Sequence, residues 1–351
     1  MLYVIKSLYS WIDRCAEITE IGTLFRSRGK SMKTNTVYLF LLVFLVFGCS
    51  KDSDTDGPNG NGMLSGKLFF QNYDGHTSIA LPSMTEVIWK TSRSWYDWDI
   101  SLDGENILEM RDGRSDGMPD QVKFTYRRFA EEQAINEFYY RPINGGTVYI
   151  SGTLSPDKSL FCIDPTFDEG FVVLSPQEGK IIAHIERINN EQVDRNSNSC
   201  WLPDNSLVIT WKNALVRFPH PYTKGEIIKE FPNENFGQIT ADRQGTKLAM
   251  IYQKRVWILN LTTDEFYQAT ESQEREASPA FSPDGHFIVF GAGQTTIGVP
   301  GSVPSYQSYM KIVPVDGKTY QVDTDGHGVI PVIAAGEISP EALKGPVVWT
   351  E

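Results

Sequence analysis

Three aspartates spaced four residues apart are the first positions whose pattern suggests chemistry: Asp112, Asp116 and Asp120, in the run Asp112-Gly113-Arg114-Ser115-Asp116-Gly117-Met118-Pro119-Asp120. Calcium takes about six to eight oxygen ligands, and oxygen donors at alternate positions with a glycine at a sharp turn can supply them. Against that, Arg114 stands at the third position, and Lys123 stands at the twelfth, where a bidentate Glu would belong. A polar loop between strands is the plainer reading, and Asp112, Asp116 and Asp120 remain candidate calcium ligands. The five histidines, His76, His184, His220, His286 and His327, show no close metal-ligand spacing. They sit beside turn residues, and His286, directly after a turn glycine, is expected in solvent.

Aromatic residues are a second source of binding chemistry, because exposed rings stack on sugars and anchor protein interfaces. Trp95, Tyr96 and Trp98 cluster in one stretch, and Tyr306 lies in a Gly/Pro/Ser-rich segment from Gly293 to Tyr309. The alternation in Trp95-Tyr96-Asp97-Trp98-Asp99-Ile100 predicts that part of the first cluster packs between sheets. Four cysteines, Cys15, Cys49, Cys162 and Cys200, are too few for a disulfide framework. Cys162 and Cys200 sit in apolar, strand-like contexts, where they either pair or stay as buried thiols.

Cys49 has a different setting. Every residue from Val37 to Phe47 is apolar, a run of about 16 Å as a helix, roughly half a hydrocarbon core and therefore of signal-peptide length. Lys33 supplies a positive flank and Gly48 the small residue before Cys49. Val46-Phe47-Gly48-Cys49 resembles the lipobox of bacterial lipoproteins, with Phe47 departing from the usual small residue. The resemblance implies a signal region over residues 1–48, with translation starting at Met32, and an acylated Cys49 that attaches the chain to a membrane. Residues 49–63 contain Ser50 to Gly62 without one apolar side chain and read as a tether. Its acidic residues resemble the signal that sends some lipoproteins to the outer face of the outer membrane.

From Cys49 onward 26 Lys and Arg stand against 41 Asp and Glu, within a total charge of −12. Such a surface repels nucleic acid and anionic lipid heads, and leaves neutral glycans and protein partners open.

The elements that must position these residues come from a repeat. Ser282-Pro283-Asp284-Gly285 lies between the apolar segments Pro279-Ala280-Phe281 and Phe287-Ile288-Val289-Phe290, a tight turn between antiparallel strands. Weaker copies are Ser101-Leu102-Asp103-Gly104, Ser155-Pro156-Asp157-Lys158, Leu202-Pro203-Asp204-Asn205 and Ala241-Asp242-Arg243-Gln244-Gly245. The strand residues Ile107, Leu160, Leu207, Leu248 and Ile288 that follow are 53, 47, 41 and 40 apart, near the ~40 to 45 residues of a four-stranded propeller blade. Gly66–Phe70, Ser78–Leu81 and Glu86–Trp89 read as the second to fourth strands of a blade that lacks its first. Ile338-Ser339-Pro340-Glu341 and Gly345-Pro346-Val347-Val348-Trp349 supply an incomplete unit at the other end. Joining the two ends in one blade would hide open sheet edges.

Over residues 64–351 this pattern is similar to the WD40-like repeats of TolB and its relatives. The resemblance implies an all-β, six-bladed β-propeller, or seven blades if the ends form separate ones. It also implies a non-catalytic binding or scaffolding module with an envelope protein or a glycan as partner; the lipobox and acidic tether place it at the outer membrane, on the cell surface, and the acidic charge argues against nucleic acid. No α/β catalytic domain follows the repeats, as one does in prolyl oligopeptidase relatives, so peptidase activity is not expected. Oligogalacturonate lyases with related repeats hold histidines around a metal, which keeps a polysaccharide-active enzyme as the second expectation. A cluster of histidines and acids at one mouth of the channel would favour the enzyme.

Overall fold

Each turn of the repeat makes the same hydrogen bonds. Ser101 N–H donates to Asn106 O and Gly104 N–H donates to Ser101 O, and equivalent pairs form from Ser155, Leu202, Asp242 and Ser282. The fourth turn residue takes a positive φ, between +59° and +74°, at Gly104, Lys158, Asn205, Gly245 and Gly285. Glycine and asparagine suit that conformation best, which accounts for four of the five residues. Where serine leads the turn, its hydroxyl donates to the turn aspartate and accepts the N–H that starts the next strand, as in Ser282 with Asp284 and Phe287.

The computed structural model describes residues 64–72, 75–90, 97–142, 151–165, 169–234, 236–297, 305–324 and 328–351, with no side-chain description for 294–297, 305 and 306. All belong to the unit Asp56–Glu351. The signal region, Cys49, the tether, Trp95, Tyr96, His327 and the side chain of Tyr306 lie outside this description.

Six antiparallel sheets follow, five of them in chain order. Blade 1 holds Asp97–Ile100, Asn106–Asp112, Val122–Arg128 and Ala134–Tyr140, from the axis outward. Blade 2 holds Gly152–Leu154, Phe161–Ile163, Phe171–Ser175 and Lys180–Ile185. Blade 3 holds Ser199–Trp201, Leu207–Trp211, Ala214–Phe218 and Glu226–Glu230, and blade 4 holds Phe236–Ala241, Lys247–Tyr252, Arg255–Asn260 and Phe266–Gln268. Blade 5 runs from Ala277–Phe281 through the long strands Phe287–Ile297 and Ser305–Pro314 to Ile330–Pro331.

The sixth blade closes the ring. Its inner strand is the C-terminal Val347–Thr350, paired antiparallel with Gly66–Gln71 in the register Lys67↔Thr350 to Phe70↔Val347. His76–Leu81 and Thr85–Lys90 complete it. Trp349 is 2% exposed, and its Nε1–H donates to Ser65 O (2.8 Å), so the last strand is tied to the start of the described chain. The sequence places this strand correctly. Ile338 to Glu341 form no strand, Ile338 is 93% exposed, and the following Ala342–Leu343 pairs onto blade 5, not onto the closing blade.

Apolar side chains fill the seam between each pair of neighbouring blades. Between blades 1 and 2 the core includes Leu108, Met110, Phe124, Phe161 and Val172, and comparable clusters fill the next four seams. Among the described residues the apolar side chains buried in the seam between the closing blade and blade 1 are Phe69, Trp98 and Ile100, with Trp89, Phe129 and Val348 packed against them. Trp98 thus packs between sheets, as the alternation predicts.

Candidate functional site

The inner strands of all six blades run in one direction and surround an axial cavity of about 370 Å³. The repeat gives its lining a common register. Counting four residues back from the first residue of each turn reaches Asp97, Ser151, Asn198, Gln238 and Ser278, all of which line the cavity. These positions lie at the end of the inner strands away from the turns, so one mouth carries a polar rim with a contribution from each of blades 1 to 5. Pro346 and Gly345 complete it from the closing blade. Two inner strands bulge here, at Phe236/Ile239 and Ala277/Ala280. Such bulges re-aim side chains at the rims of sheets. Gln238 accepts a hydrogen bond from Ser278 N–H at 3.5 Å, which links blades 4 and 5 across the rim.

Three carboxyls sit beside this rim. Asp97 and Asp99 share one face of the inner strand of blade 1, and Asp164 follows the second strand of blade 2. Asp99 Oδ2 accepts the N–H of Leu154 from blade 2 at 2.6 Å. Asp164 accepts hydrogen bonds from Ser151 Oγ (3.0 Å) and Ser199 Oγ (3.4 Å). Asp97 and Asp164 are half-buried and Asp99 is buried, and all three line the cavity. Burial is therefore the leading cause that pushes Asp97 up to about 7, Asp99 up to about 8 and Asp164 up to about 6. For Asp97 and Asp99, repulsion from neighbouring carboxylates adds to it. Near neutral pH the group carries less negative charge than three ordinary aspartates, and it can donate as well as accept hydrogen bonds.

The opposite mouth is bridged. Arg243, from the turn of blade 4, donates from Nη2 to Leu102 O of the blade 1 turn and pairs with Glu351 at the C-terminus. It is the one cation among the described lining residues. Among the described residues the site therefore opens at one end, polar and weakly acidic, and is strapped at the other.

The aspartates of the calcium candidate are each engaged elsewhere. Asp112 caps the short 3-10 helix Gly113–Asp116 by accepting Arg114 N–H, Asp116 binds Arg111 and Tyr139, and Asp120 pairs with Arg141. The Arg111 guanidinium beside Asp116 holds its carboxyl down at about 2. Among the described residues no group of three or more His, Cys, Asp or Glu side chains is placed to hold a metal ion. Gly113-Arg114-Ser115-Asp116-Gly117 matches the letters of a nucleophile elbow. It connects two antiparallel strands of blade 1, however, not a strand to a helix, and Ser115 accepts a hydrogen bond from Arg111.

Cys162 and Cys200 are free, buried thiols, and burial pushes both well above the usual thiol range. His286 is exposed, as its turn position predicts. His76 departs from the expectation for turn-side histidines, being 1% exposed. No histidine lines the cavity among its described residues.

Reading the sequence by motif misses Asp97, Asp99 and Asp164. The signal for the first two is present once the repeats are aligned on their turns, because Thr153, Cys200, Thr240 and Ala280 occupy the position of Asp99. A carboxylate where the other blades place small or weakly polar residues is the outlier. Asp164 has no such register and is found only through its contacts with Ser151 and Ser199.

No protein-family model and no curated protein sequence matches the chain. Solved structures do. TolB from Acinetobacter baumannii superposes with a TM-score of 0.54 at 13% identity, over 82% of this chain and 66% of that one. This chain thus spans just under two thirds of that protein. A putative TolB from Agrobacterium tumefaciens superposes with a TM-score of 0.52 at 11% identity, over 82% of this chain and 99% of that one. At these identities the likeness is one of fold, and the chain is a six-bladed β-propeller of the kind seen in the TolB structures.

Proposed function

We propose that this chain is a lipid-anchored outer-membrane propeller that binds or scaffolds an envelope protein or a glycan at the open mouth of its axial cavity. The observation that carries this reading is the polar rim. Five blades place a hydrogen-bonding side chain at the same register around a concave site, the arrangement expected of a recognition surface. No nucleophile among the described lining residues has a histidine beside it, and the Cys200 thiol is held protonated by burial. Gln238 is exposed at the rim, so Gln238→Arg fills the mouth without disturbing the core. Pull-downs from native membranes with the full lipoprotein test the reading. Partners retained by the original chain and by the rim-distant Ile181→Arg should be lost with Gln238→Arg. Equal capture by all three would place binding elsewhere.

The anchor is tested separately, by Cys49→Ser. Acyl chains contribute about 0.8 kcal/mol per buried methylene, so the variant should lose lipid labelling and leave the membrane fraction. Retention without label would refute the anchor.

The three carboxyls favour a second reading, a polysaccharide-active propeller, because a carboxyl that stays protonated near neutral pH can act as a general acid. Under that reading Asp99→Asn abolishes release of reducing ends from polysaccharide, with binding retained. If no polysaccharide is cleaved by the original chain, the second reading falls.

A further inference from the structure

The seam between the closing blade and blade 1 contains a group that ring closure does not require. His76 begins the strand His76–Leu81, is 1% exposed, and has a hydrogen-bond partner at neither Nδ1 nor Nε2. Its ring lies 5.1 Å from that of Trp89 in the same blade and 5.6 Å from that of Trp98 in blade 1. The Thr77 hydroxyl and Trp89 Nε1 are also buried without partners. A neutral imidazole in this place already forgoes its hydrogen bonds. An imidazolium would carry two N–H donors and find no acceptor.

The charged groups that face the ring do not change this. Lys90, its register partner on Thr85–Lys90, repels a cation. Glu109 of blade 1 attracts one, but its carboxylate is already bound to Lys90 (2.5 Å) and Arg127 (3.2 Å). The two indole rings offer some cation–π compensation. Burial outweighs it and, with Lys90, holds the imidazole down at about 4.

We infer that His76 is an acid-sensitive latch: it takes up a proton only when the closing blade and blade 1 part far enough to admit water, so acid opens the ring at this seam first. The closed seam favours the neutral ring, so its stability is full above the ordinary histidine pKa of 6.5 and is lost as pH falls toward about 4. The other flank of blade 1 responds with the opposite sign. Asp97, Asp99 and Asp164 are all raised, so acid relieves their cost and tightens that side. Acid should therefore loosen one seam and not the whole ring. Val347, Val348 and Trp349 of the closing blade line the axial cavity together with Trp98 and Ile100, so the opening also deforms one wall of the site.

Amide hydrogen exchange on the full chain in detergent, read by mass spectrometry and corrected for the intrinsic pH dependence of exchange, tests the latch. Between pH 6.5 and 4 the opening constant of segments 76–90 and 97–110 should rise about tenfold per pH unit, while segment 199–218 in blade 3 holds. His76→Leu and His76→Phe should each flatten that slope, and either folded variant suffices. A flat response in the original chain, an equal loss in every blade, or an undiminished slope in a His76 variant would overturn the inference.

Discussion

Blade 1 meets its two neighbours in different ways. With blade 2 it shares a core of eleven buried residues, six of them its own, and Asp99 is hydrogen-bonded across the seam to Leu154 at the axis. Toward the closing blade it presents Trp98 and Ile100 to a small aromatic cluster, beside His76, Thr77 and Trp89, whose buried polar atoms have no partners. The first seam joins segments that lie close together in the chain. The second joins the two ends of the domain, and its closing blade is held together by the pairing of Val347–Thr350 with Gly66–Gln71. The contrast teaches that the ring is fastened unevenly. Beside blade 2, Asp99 bonds across the seam and the cavity-lining Thr153 hydroxyl is buried without a partner, whereas His76, Thr77 and Trp89 all lack partners where the ring shuts.

The largest expected effect comes from removing the fastening strand. Deleting residues 344–351 takes away Val347 and Trp349, both buried, and exposes the edge of Gly66–Gln71. The loss should be about 5 kcal/mol or more, seen by calorimetry as a much lower Tm or as failure to fold. A truncated chain that melts like the intact one would break the comparison, because the closing seam would then not depend on the last strand.

A smaller effect of opposite sign is expected at the other seam. The folded-state pKa of Asp99 is raised to about 8, so its contribution is full below the unfolded value near 3.8 and is lost as pH rises through the folded one. Asp99→Asn keeps an oxygen to accept the Leu154 N–H and removes that titration. It should stabilise the domain by roughly 1 to 3 kcal/mol at pH 8 and by nearly nothing at pH 4, read from denaturant midpoints at both values. A gain independent of pH would mean that the carboxyl is not ionising inside the cavity.

The smallest effect tests the surface above the same seam. Lys158 Nζ bridges the turns of blades 1 and 2 through Asp103 (2.5 Å) and Glu105 (3.2 Å), and both acids are more than a third exposed. Lys158→Ala keeps the positive φ and removes only the ion pairs, so the cost should be about 0 to 1 kcal/mol and should shrink with added salt. A larger, salt-independent loss would mean that blades 1 and 2 are held at their turns as much as in their core.

The sequence discloses most of this fold because the repeat is local. Each turn, with its Asp and its left-handed fourth residue, writes its own strand pair, and the spacing of five such turns is enough to count blades. Ring closure is legible too, since Gly66–Leu81 lacks a first strand and Val347–Trp349 lacks the rest. The Ser-Pro-Glu at 339–341 copies the letters of the turn, but the strand that follows it, Ala342–Leu343, joins blade 5. The site is harder to read, as cavity-facing residues come from different blades and share only a register. Asp97 and Asp99 look like ordinary alternation beside Trp98 until they are set against Ser151 and Thr153. His76 defeats the reading for a related reason: its position beside a turn suggests exposure, and only the packing of Trp89 and Trp98 across the seam buries it.

The pairing of Trp349 with Ser65, and of Thr350 with Lys67, also sets where any chain ahead of Leu64 joins the ring. The described chain enters at Leu64 and leaves at Glu351 on the same side of the ring, the side of the turns, where Arg243 straps the cavity shut. Any mooring attached ahead of Leu64 therefore pulls on the strapped side. Among the described residues the open mouth is on the far side, like a cup held by its base.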